Sequence, residues 1–220
     1  MKKAYYFDMD GTVIDSMQCW DKNVKRVLRE FGAEYPDNVL ETITPMSEQE
    51  KASYFISLGA RGSAEEMTKR LEEYVSYDYE HSVRMKDGVK EYIEFLASGG
   101  ARLFILTASP HAFVDSYLER HALMHCFEDV WSTDDFEYGK SDVRLYRHLE
   151  TLIGVPAHDT IMYDDSIVAL GAAHAAGIYT VGVFDPASGE SESAYRAVCD
   201  EYISDFRIYG RAEGGDVKKI

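Results

Sequence analysis

The sequence predicts an α/β protein whose core is a doubly wound parallel sheet. From residue 84 onward short apolar strands alternate with helices, a pattern typical of a parallel sheet covered by helices. The predicted strands are residues 4–7, 102–106, 130–131, 161–163, 179–183 and 202–203. Residues 16–83 carry only helical patterns and interrupt the alternation after the first strand. We therefore expect a core domain of residues 1–15 and 84–220, with a small all-helical cap domain of residues 16–83 inserted into it.

Helix signals support both parts of this division. In the insert, apolar residues recur at helical spacing from Trp20 to Phe31, and Gly32 ends the run. Two Ser-x-x-Glu capping boxes, at residues 47–50 and 63–66, predict the starts of two further helices. In the core, helices are expected between the strands, over residues 88–96, 113–118, 143–152, 168–176 and 195–198.

Composition limits the function classes that are open to the chain. Its 220 residues fit one large domain or a domain with an insert, and 45% of them are hydrophobic. The net charge of -16 argues against a nucleic-acid partner or an anionic membrane surface. No apolar run is long enough to cross a bilayer, and we expect no signal peptide, because Met1-Lys2-Lys3 leads straight into the first strand. We expect a cytoplasmic monomer or weak dimer with three reduced thiols, at Cys19, Cys126 and Cys199.

Two carboxylates follow the first buried strand. Asp8 and Asp10 are separated by one residue, and the turn Gly11-Thr12 comes next. Alternate residues of a strand point to one face, so these like charges would repel unless a cation neutralised them or one stayed protonated. An acidic surface turn is the alternative. The buried strand before the pair and the Thr after it favour a functional site.

Polar residues also stand at the ends of later strands. Thr107 ends the second strand, Lys140 precedes a helix, and Asp164-Asp165 follow the strand 161–163. Ligand sites of open parallel sheets lie at the carboxyl ends of the strands. Each residue has a simpler explanation by itself, since Thr107 could serve a turn, Lys140 could be solvated, and Asp165 could cap a helix. Their shared position favours a common site.

The stretch from Asp8 to Ser16 resembles the first motif of the haloacid dehalogenase superfamily, Asp-x-Asp-Gly-Thr-x-x-Asp-Ser. Thr107 resembles the second motif, Lys140 the third, and Asp164-Asp165 the acidic-pair form of the fourth. In the third motif Ser141 stands where the family commonly has Pro. The resemblance implies a Rossmann-like core with a helical cap and, most often, a magnesium-dependent phosphatase of the branch that includes β-phosphoglucomutase.

The resemblance also implies a role for each site residue. Asp8 would be the nucleophile that forms an aspartyl-phosphate, and Asp10 would be the general acid and base. Mg²⁺ would be held by Asp8, the Asp10 backbone carbonyl, and Asp165 with help from Asp164. Thr107 and Lys140 would stabilise the phosphoryl oxygens. The implied phosphate-binding residues are Asp8, Gly11, Thr12, Thr107, Ala108 and Lys140.

The leading expectation is hydrolysis of a small phosphorylated metabolite, and three alternatives stay open. A phosphomutase of the β-phosphoglucomutase type would share the nucleophile. Such mutases tend to carry Gly-x-Ser-Arg in the cap, and the corresponding residues 43–48 read Ile-Thr-Pro-Met-Ser-Glu. A metal-independent dehalogenase would not need Asp10 or Asp164. A non-catalytic phosphate-binding module would not need the full catalytic set.

Overall fold

A six-stranded, fully parallel sheet forms the core of the protein. The computed structural model describes residues 3–43, 46 and 48–210. The strand order is β3-β2-β1-β4-β5-β6. The strands are β1 (Ala4–Phe7), β2 (Arg102–Thr107), β3 (Asp129–Ser132), β4 (Thr160–Asp164), β5 (Tyr179–Val183) and β6 (Glu201–Ile203). This is the predicted doubly wound α/β fold, and every predicted strand is confirmed.

The strand order reverses direction at β1. From β1 the chain moves outward to β2 and β3, then returns to β4 on the other side and continues to β5 and β6. Helices after the two central strands therefore cover opposite faces, which leaves a crevice at the carboxyl ends of β1 and β4. Phe7 pairs with Tyr163 in the register of these strands, so the residues that follow them emerge side by side.

Helices cover both faces of the sheet, which explains why its strands are nearly continuous apolar runs. One face packs Tyr6, Phe104 and Trp131 against the helices that follow β3 and β4. The other face is aromatic, and the rings of Phe7 and Tyr163 stack at 4.8 Å. The core helices are α5 (Val89–Ser98), α6 (His111–Arg120), α7 (Val143–Ile153), α8 (Ile167–Ala175) and α9 (Glu192–Val198).

The second compact unit is Ser16–Val83, while the residues up to Asp15 and from Arg84 onward form the first. Over its described residues the second unit contains helices and no strand. They are α1 (Met17–Glu30), α2 (Val39–Ile43), α3 (Glu48–Ser57) and α4 (Ala64–His81). We propose that this unit is the cap domain. It has its own apolar core, which includes Val24, Leu28 and Met67.

Local helix signals had mixed outcomes in this unit. The second capping box is confirmed, because the Glu66 amide donates to Ser63 Oγ at 3.1 Å and the Ser63 amide donates to Glu66 Oε2 at 2.8 Å. Ser47, which begins the first box, lies outside the described residues. The sequence patterns do not predict the short helix α2. In the described part of the chain, no helix combines the length and the apolar character that crossing a membrane requires.

Candidate active site

The first site residues follow β1, where the strand ends in a tight turn. The amide of Asp8 still donates to the Tyr163 carbonyl at 2.9 Å, so Asp8 is fixed as a continuation of the sheet. Its side chain is buried. The turn that follows bends back through Gly11, whose φ of 78° is a backbone conformation that glycine adopts without strain. Asp8 is therefore held rigidly at the carboxyl edge of the sheet.

Three carboxylates converge at the crevice between β1 and β4. Asp8, Asp164 and Asp165 each offer an oxygen, and these oxygens lie within 4.8 Å of one another. Asp8 and Asp164 are buried, and Asp165 is partly buried. Their proximity follows from the parallel pairing of β1 with β4, which places the two strand ends at the same edge.

One ammonium group lies within this acidic cluster. Lys140 Nζ donates to Asp8 Oδ1 at 2.6 Å and to Asp164 Oδ2 at 2.9 Å. Its backbone is held by Tyr146, whose hydroxyl donates to the Lys140 carbonyl at 2.7 Å. Asp142 caps α7 by accepting from the Arg144 amide at 2.9 Å. The helix thus begins with a polar cap two residues after Lys140, without the usual Pro of the third motif.

The electrostatics of the cluster show an excess of negative charge. Burial raises the pKa of Asp8 to about 7, and Asp164 and Asp10 add to the rise while Lys140 opposes it. Burial, with repulsion from Asp8 and Asp164, also raises the pKa of Asp165 well above its usual value. Burial alone would lower the pKa of Lys140, but attraction to Asp164 and Asp8 outweighs it and raises that pKa.

This donor set fits a hard divalent cation. Among the described residues, three carboxylates face a single ammonium group, so two units of positive charge would balance the cluster. Mg²⁺ prefers oxygen ligands, is bound through few protein carboxylates and keeps coordination sites for water and phosphate. Asp8, Asp164 and Asp165 are the residues that could hold it, and the backbone carbonyl of Asp10 remains the expected further ligand.

The Asp10 carboxylate lies outside the three-carboxylate cluster and contacts the end of β2 instead. Asp10 Oδ2 accepts from Ser109 Oγ at 2.5 Å. The Ser109 amide in turn donates to Thr107 Oγ1 at 3.0 Å. A hydroxyl that accepts such a bond keeps its own hydrogen for donation, so Thr107 can still donate to a phosphoryl oxygen. Thr107 therefore serves the turn after β2 and remains chemically suited to the expected role.

The other residues expected to bind phosphate differ in their surroundings. Gly11 donates its amide to the Ile14 carbonyl at 2.8 Å. Thr12 is fully buried, and its hydroxyl has no hydrogen-bond partner within the described residues. Ala108 is exposed beside Thr107. The structure thus gathers Asp8, Lys140, Asp164 and Asp165 directly, with Asp10 and Thr107 joined through Ser109.

Sequence reasoning missed three residues whose hydroxyls contact the site residues. Ser109 precedes Pro110, and this pair by itself indicates the start of a helix, yet the Ser109 hydroxyl contacts Asp10. Tyr146 and Tyr195 resemble ordinary core residues, but their hydroxyls bind backbone carbonyls of Lys140 and Asp165. An apolar position filled by Tyr instead of Phe or Leu is the signal that a polar partner exists. The cap of α8 comes from Ser166, so Asp165 is not needed for that purpose.

Comparison with known proteins agrees with this geometry. Residues 5–183 match the family described as haloacid dehalogenase-like hydrolase. The chain belongs to this family. The predicted superfamily and the class of hydrolase are therefore confirmed, on a match that runs from β1 to β5 and includes all four motifs.

The chain is similar in sequence to two named phosphatases and similar in fold to a solved structure. It is 26% identical to validoxylamine A 7'-phosphate phosphatase of Streptomyces hygroscopicus subsp. limoneus, over 83% of this chain and 86% of the relative. It is 26% identical to the phosphorylated carbohydrates phosphatase of Thermotoga maritima, over 80% of this chain and 82% of the relative. CbbY from Rhodobacter sphaeroides, solved in complex with phosphate, shares the fold with a TM-score of 0.80 at 18% identity. The likeness covers 96% of this chain and 97% of CbbY.

Proposed function

We propose that this protein is a magnesium-dependent phosphatase that hydrolyses a small phosphorylated metabolite through an aspartyl-phosphate intermediate. The observation that carries the proposal is the environment of Asp8. This buried carboxylate stands at the carboxyl edge of the central strand, bound by Lys140 and flanked by Asp164 and Asp165. Two curated relatives of the family are named as phosphatases of phosphorylated carbohydrates or of validoxylamine A 7'-phosphate, which supports the same reaction.

Asp8 is the proposed nucleophile. Lys140 binds its Oδ1, which leaves Oδ2 as the attacking oxygen. In the first step the Oδ2–P bond forms and the bond between phosphorus and the leaving oxygen breaks. Lys140 and the Thr107 hydroxyl offer positive charge and a hydrogen bond to the phosphoryl oxygens as charge develops on them.

Asp10 is the proposed proton carrier. It gives a proton to the leaving alcohol in the first step and takes one from water in the second. That water attacks phosphorus, the P–Oδ2 bond of Asp8 breaks, and inorganic phosphate leaves. Ser109 holds the Asp10 carboxylate in a fixed orientation through its 2.5 Å hydrogen bond, which suits a group that must face first the alcohol and then the water. A bound Mg²⁺ supplies Lewis-acid charge that offsets the repulsion between carboxylate and phosphate.

Two alternative reactions are less well supported. A phosphomutase would use the same Asp8, and the fold does not separate it from a phosphatase, but residues 43–48 lack the Gly-x-Ser-Arg stretch expected of such mutases. A dehalogenase that attacks carbon without metal has no use for the acidic pair Asp164-Asp165, which adds repulsion at the site. Hydrolysis of a phosphate ester uses every residue of the cluster.

The test is turnover of p-nitrophenyl phosphate at graded Mg²⁺ and in chelator. We expect activity to rise with Mg²⁺ and to be absent in chelator. Asp8→Asn should be inactive, whereas the control Asp159→Asn should be active, because Asp159 pairs with Lys3 before β4, at the opposite edge of the sheet. Full activity in chelator would refute the proposed metal dependence. Phosphate release from a panel of sugar, nucleotide and short-acid phosphates would then identify the substrate class, and isomerisation of a sugar phosphate without release would favour the mutase.

A further inference from the structure

One side chain of α9, the last α-helix described in the core, contacts the backbone of the acidic cluster. Tyr195 is fully buried, and its hydroxyl donates to the backbone carbonyl of Asp165. This residue lies outside the four motifs and thirty residues after Asp165. A buried phenol that binds the backbone next to a candidate metal ligand is more than packing, because Phe would fill the same space without the hydroxyl.

Strand β5 has a glycine at the position where the Tyr195 ring packs against it. A Cβ atom on Gly182 would lie 2.6 Å from Tyr195 Cδ1 and 3.2 Å from Cys199 Sγ. Gly182 is the partner of Asp164 in the pairing of β4 with β5. The strand position next to the acidic pair is therefore occupied by the residue whose missing side chain makes room for Tyr195.

Helix α9 itself is fixed at its start and along its buried side. Ser191 Oγ accepts from the Ala194 amide at 3.3 Å, which caps the first turn. The rings of Tyr195 and Tyr202 lie 5.1 Å apart, which ties the helix to β6. Tyr195 is thus packed against β5 and β6 on a capped helix.

Asp165 needs such a support more than its neighbours. Asp8 and Asp164 are both bound by Lys140, and Asp164 Oδ1 also accepts from the Ser166 amide at 2.8 Å. Asp165 follows the last residue of β4, where its segment could turn away from two like charges. The bond from Tyr195 fixes the backbone of this segment. A ligand that is already in place does not have to be ordered when the cation binds, and this raises affinity.

We infer that Tyr195 is a positioning residue that holds Asp165 in the geometry required to bind a divalent cation. The absence of a side chain at Gly182 leaves the space that the Tyr195 ring occupies. The inference rests on the magnesium site of the proposed function. It assigns to α9, which no motif of the family resemblance covers, a part in the metal affinity of the enzyme that acts through Asp165.

The test is the dissociation constant of Mg²⁺, measured by calorimetric titration of metal-free protein. Tyr195→Phe keeps the ring and removes only the hydroxyl. Partners that orient metal ligands typically contribute about 10–100-fold to affinity, and we expect a weakening at the lower end, roughly tenfold. At saturating Mg²⁺ the kcat should stay within about twofold of wild type, since the loaded site restores the position of Asp165. A residue that only stabilised the fold would not produce this separation.

Two further variants make the result specific. Tyr92→Phe removes another buried hydroxyl, which bonds to the Tyr163 hydroxyl at 2.8 Å, and should leave the Mg²⁺ affinity unchanged. Gly182→Ala should weaken Mg²⁺ binding because it displaces the Tyr195 ring, and combining it with Tyr195→Phe should add little. If Gly182→Ala does not fold, Tyr195→Phe alone decides.

The possible outcomes separate this inference from the proposed function. If wild type does not bind Mg²⁺, the metal site of the proposed function is wrong, and the inference falls with it. If wild type binds Mg²⁺ and Tyr195→Phe binds it equally well, the inference alone is overturned. It is also overturned if Tyr92→Phe weakens binding as much as Tyr195→Phe does.

Discussion

Replacing Lys140 with Met removes the cation from the acidic cluster while keeping most of the side-chain volume. Lys140 Nζ lies 2.6 Å from Asp8 and 2.9 Å from Asp164, and both carboxylates are buried. The change therefore leaves two buried carboxylates without the ammonium that binds them. Removing one partner of a buried ion pair costs about 3–5 kcal/mol, and we expect a loss of this size in metal-free protein. For a chain of this size it corresponds to a fall in Tm of about 6–20 °C.

The loss should depend on pH in a direction set by the Asp8 carboxyl. Its pKa in the folded protein is about 7, above the ordinary 3.8, so its contribution to stability is complete below about pH 4 and declines as pH rises through 7. Without Lys140 the folded pKa rises further, and the cost of ionising Asp8 continues to grow above pH 7. The difference in the free energy of unfolding between wild type and Lys140→Met should thus be smallest near pH 5 and largest near pH 8.

The assay is chemical and thermal unfolding of both proteins in chelator at pH 5 and pH 8, repeated with Mg²⁺. The control is Lys3→Met, which breaks an exposed pair with Asp159 and should cost about 1 kcal/mol or less at either pH. Mg²⁺ should narrow the gap by supplying charge to the same carboxylates. A difference in unfolding free energy between wild type and Lys140→Met below about 1 kcal/mol at pH 8 in chelator would refute this account of the cluster. So would a difference that does not change with pH.

Four further changes have definite expected results. Asp8→Asn should abolish phosphatase turnover with an unchanged circular dichroism spectrum, and more than trace activity would exclude it as nucleophile. Asp10→Asn should slow alkyl phosphates more than aryl phosphates, whose leaving groups need no proton; equal losses would count against its role as acid. Asp165→Ala should raise the Mg²⁺ concentration needed for activity without lowering the metal-free Tm, because the next residue caps α8; a clearly lower Tm would contradict this. Lys86→Met should cost about 3–5 kcal/mol in metal-free protein, because its buried ammonium binds Asp185 at 2.8 Å and Asp15 at 3.1 Å; a loss below about 1 kcal/mol would contradict this.

Local patterns were sufficient for most of the fold. The strands at residues 4–7 and 179–183 have the predicted bounds, because a strand buried on both faces is an apolar run that needs no knowledge of its neighbours. Helix ends were readable where a cap was local, as at Ser63, whose box closes within three residues. The five-residue helix α2 was missed, since so short a segment shows too little periodicity.

The sequence by itself determined which residues stand at the strand ends. Asp8 and the pair Asp164-Asp165 were identifiable because each directly follows an apolar strand, and the next residues are a Gly-Thr turn in the first case and a helix in the second. Their convergence could be expected from the rule that ligands bind at the carboxyl edge of a parallel sheet. The four motifs are therefore sufficient to indicate the family.

Tertiary structure alone decided how those residues are held. Ser109 is bound to a carboxylate 99 residues away, and Tyr195 to a carbonyl 30 residues away. Such contacts depend on strand register and on the path of α9. A Tyr at an apolar position indicates that a polar partner exists, but the sequence does not identify that partner. Beside Pro110, Ser109 indicates a helix start, and Tyr195 indicates a core position. One hydroxyl can serve a cap, a carboxylate or a backbone carbonyl, and only the packing of distant segments selects among them.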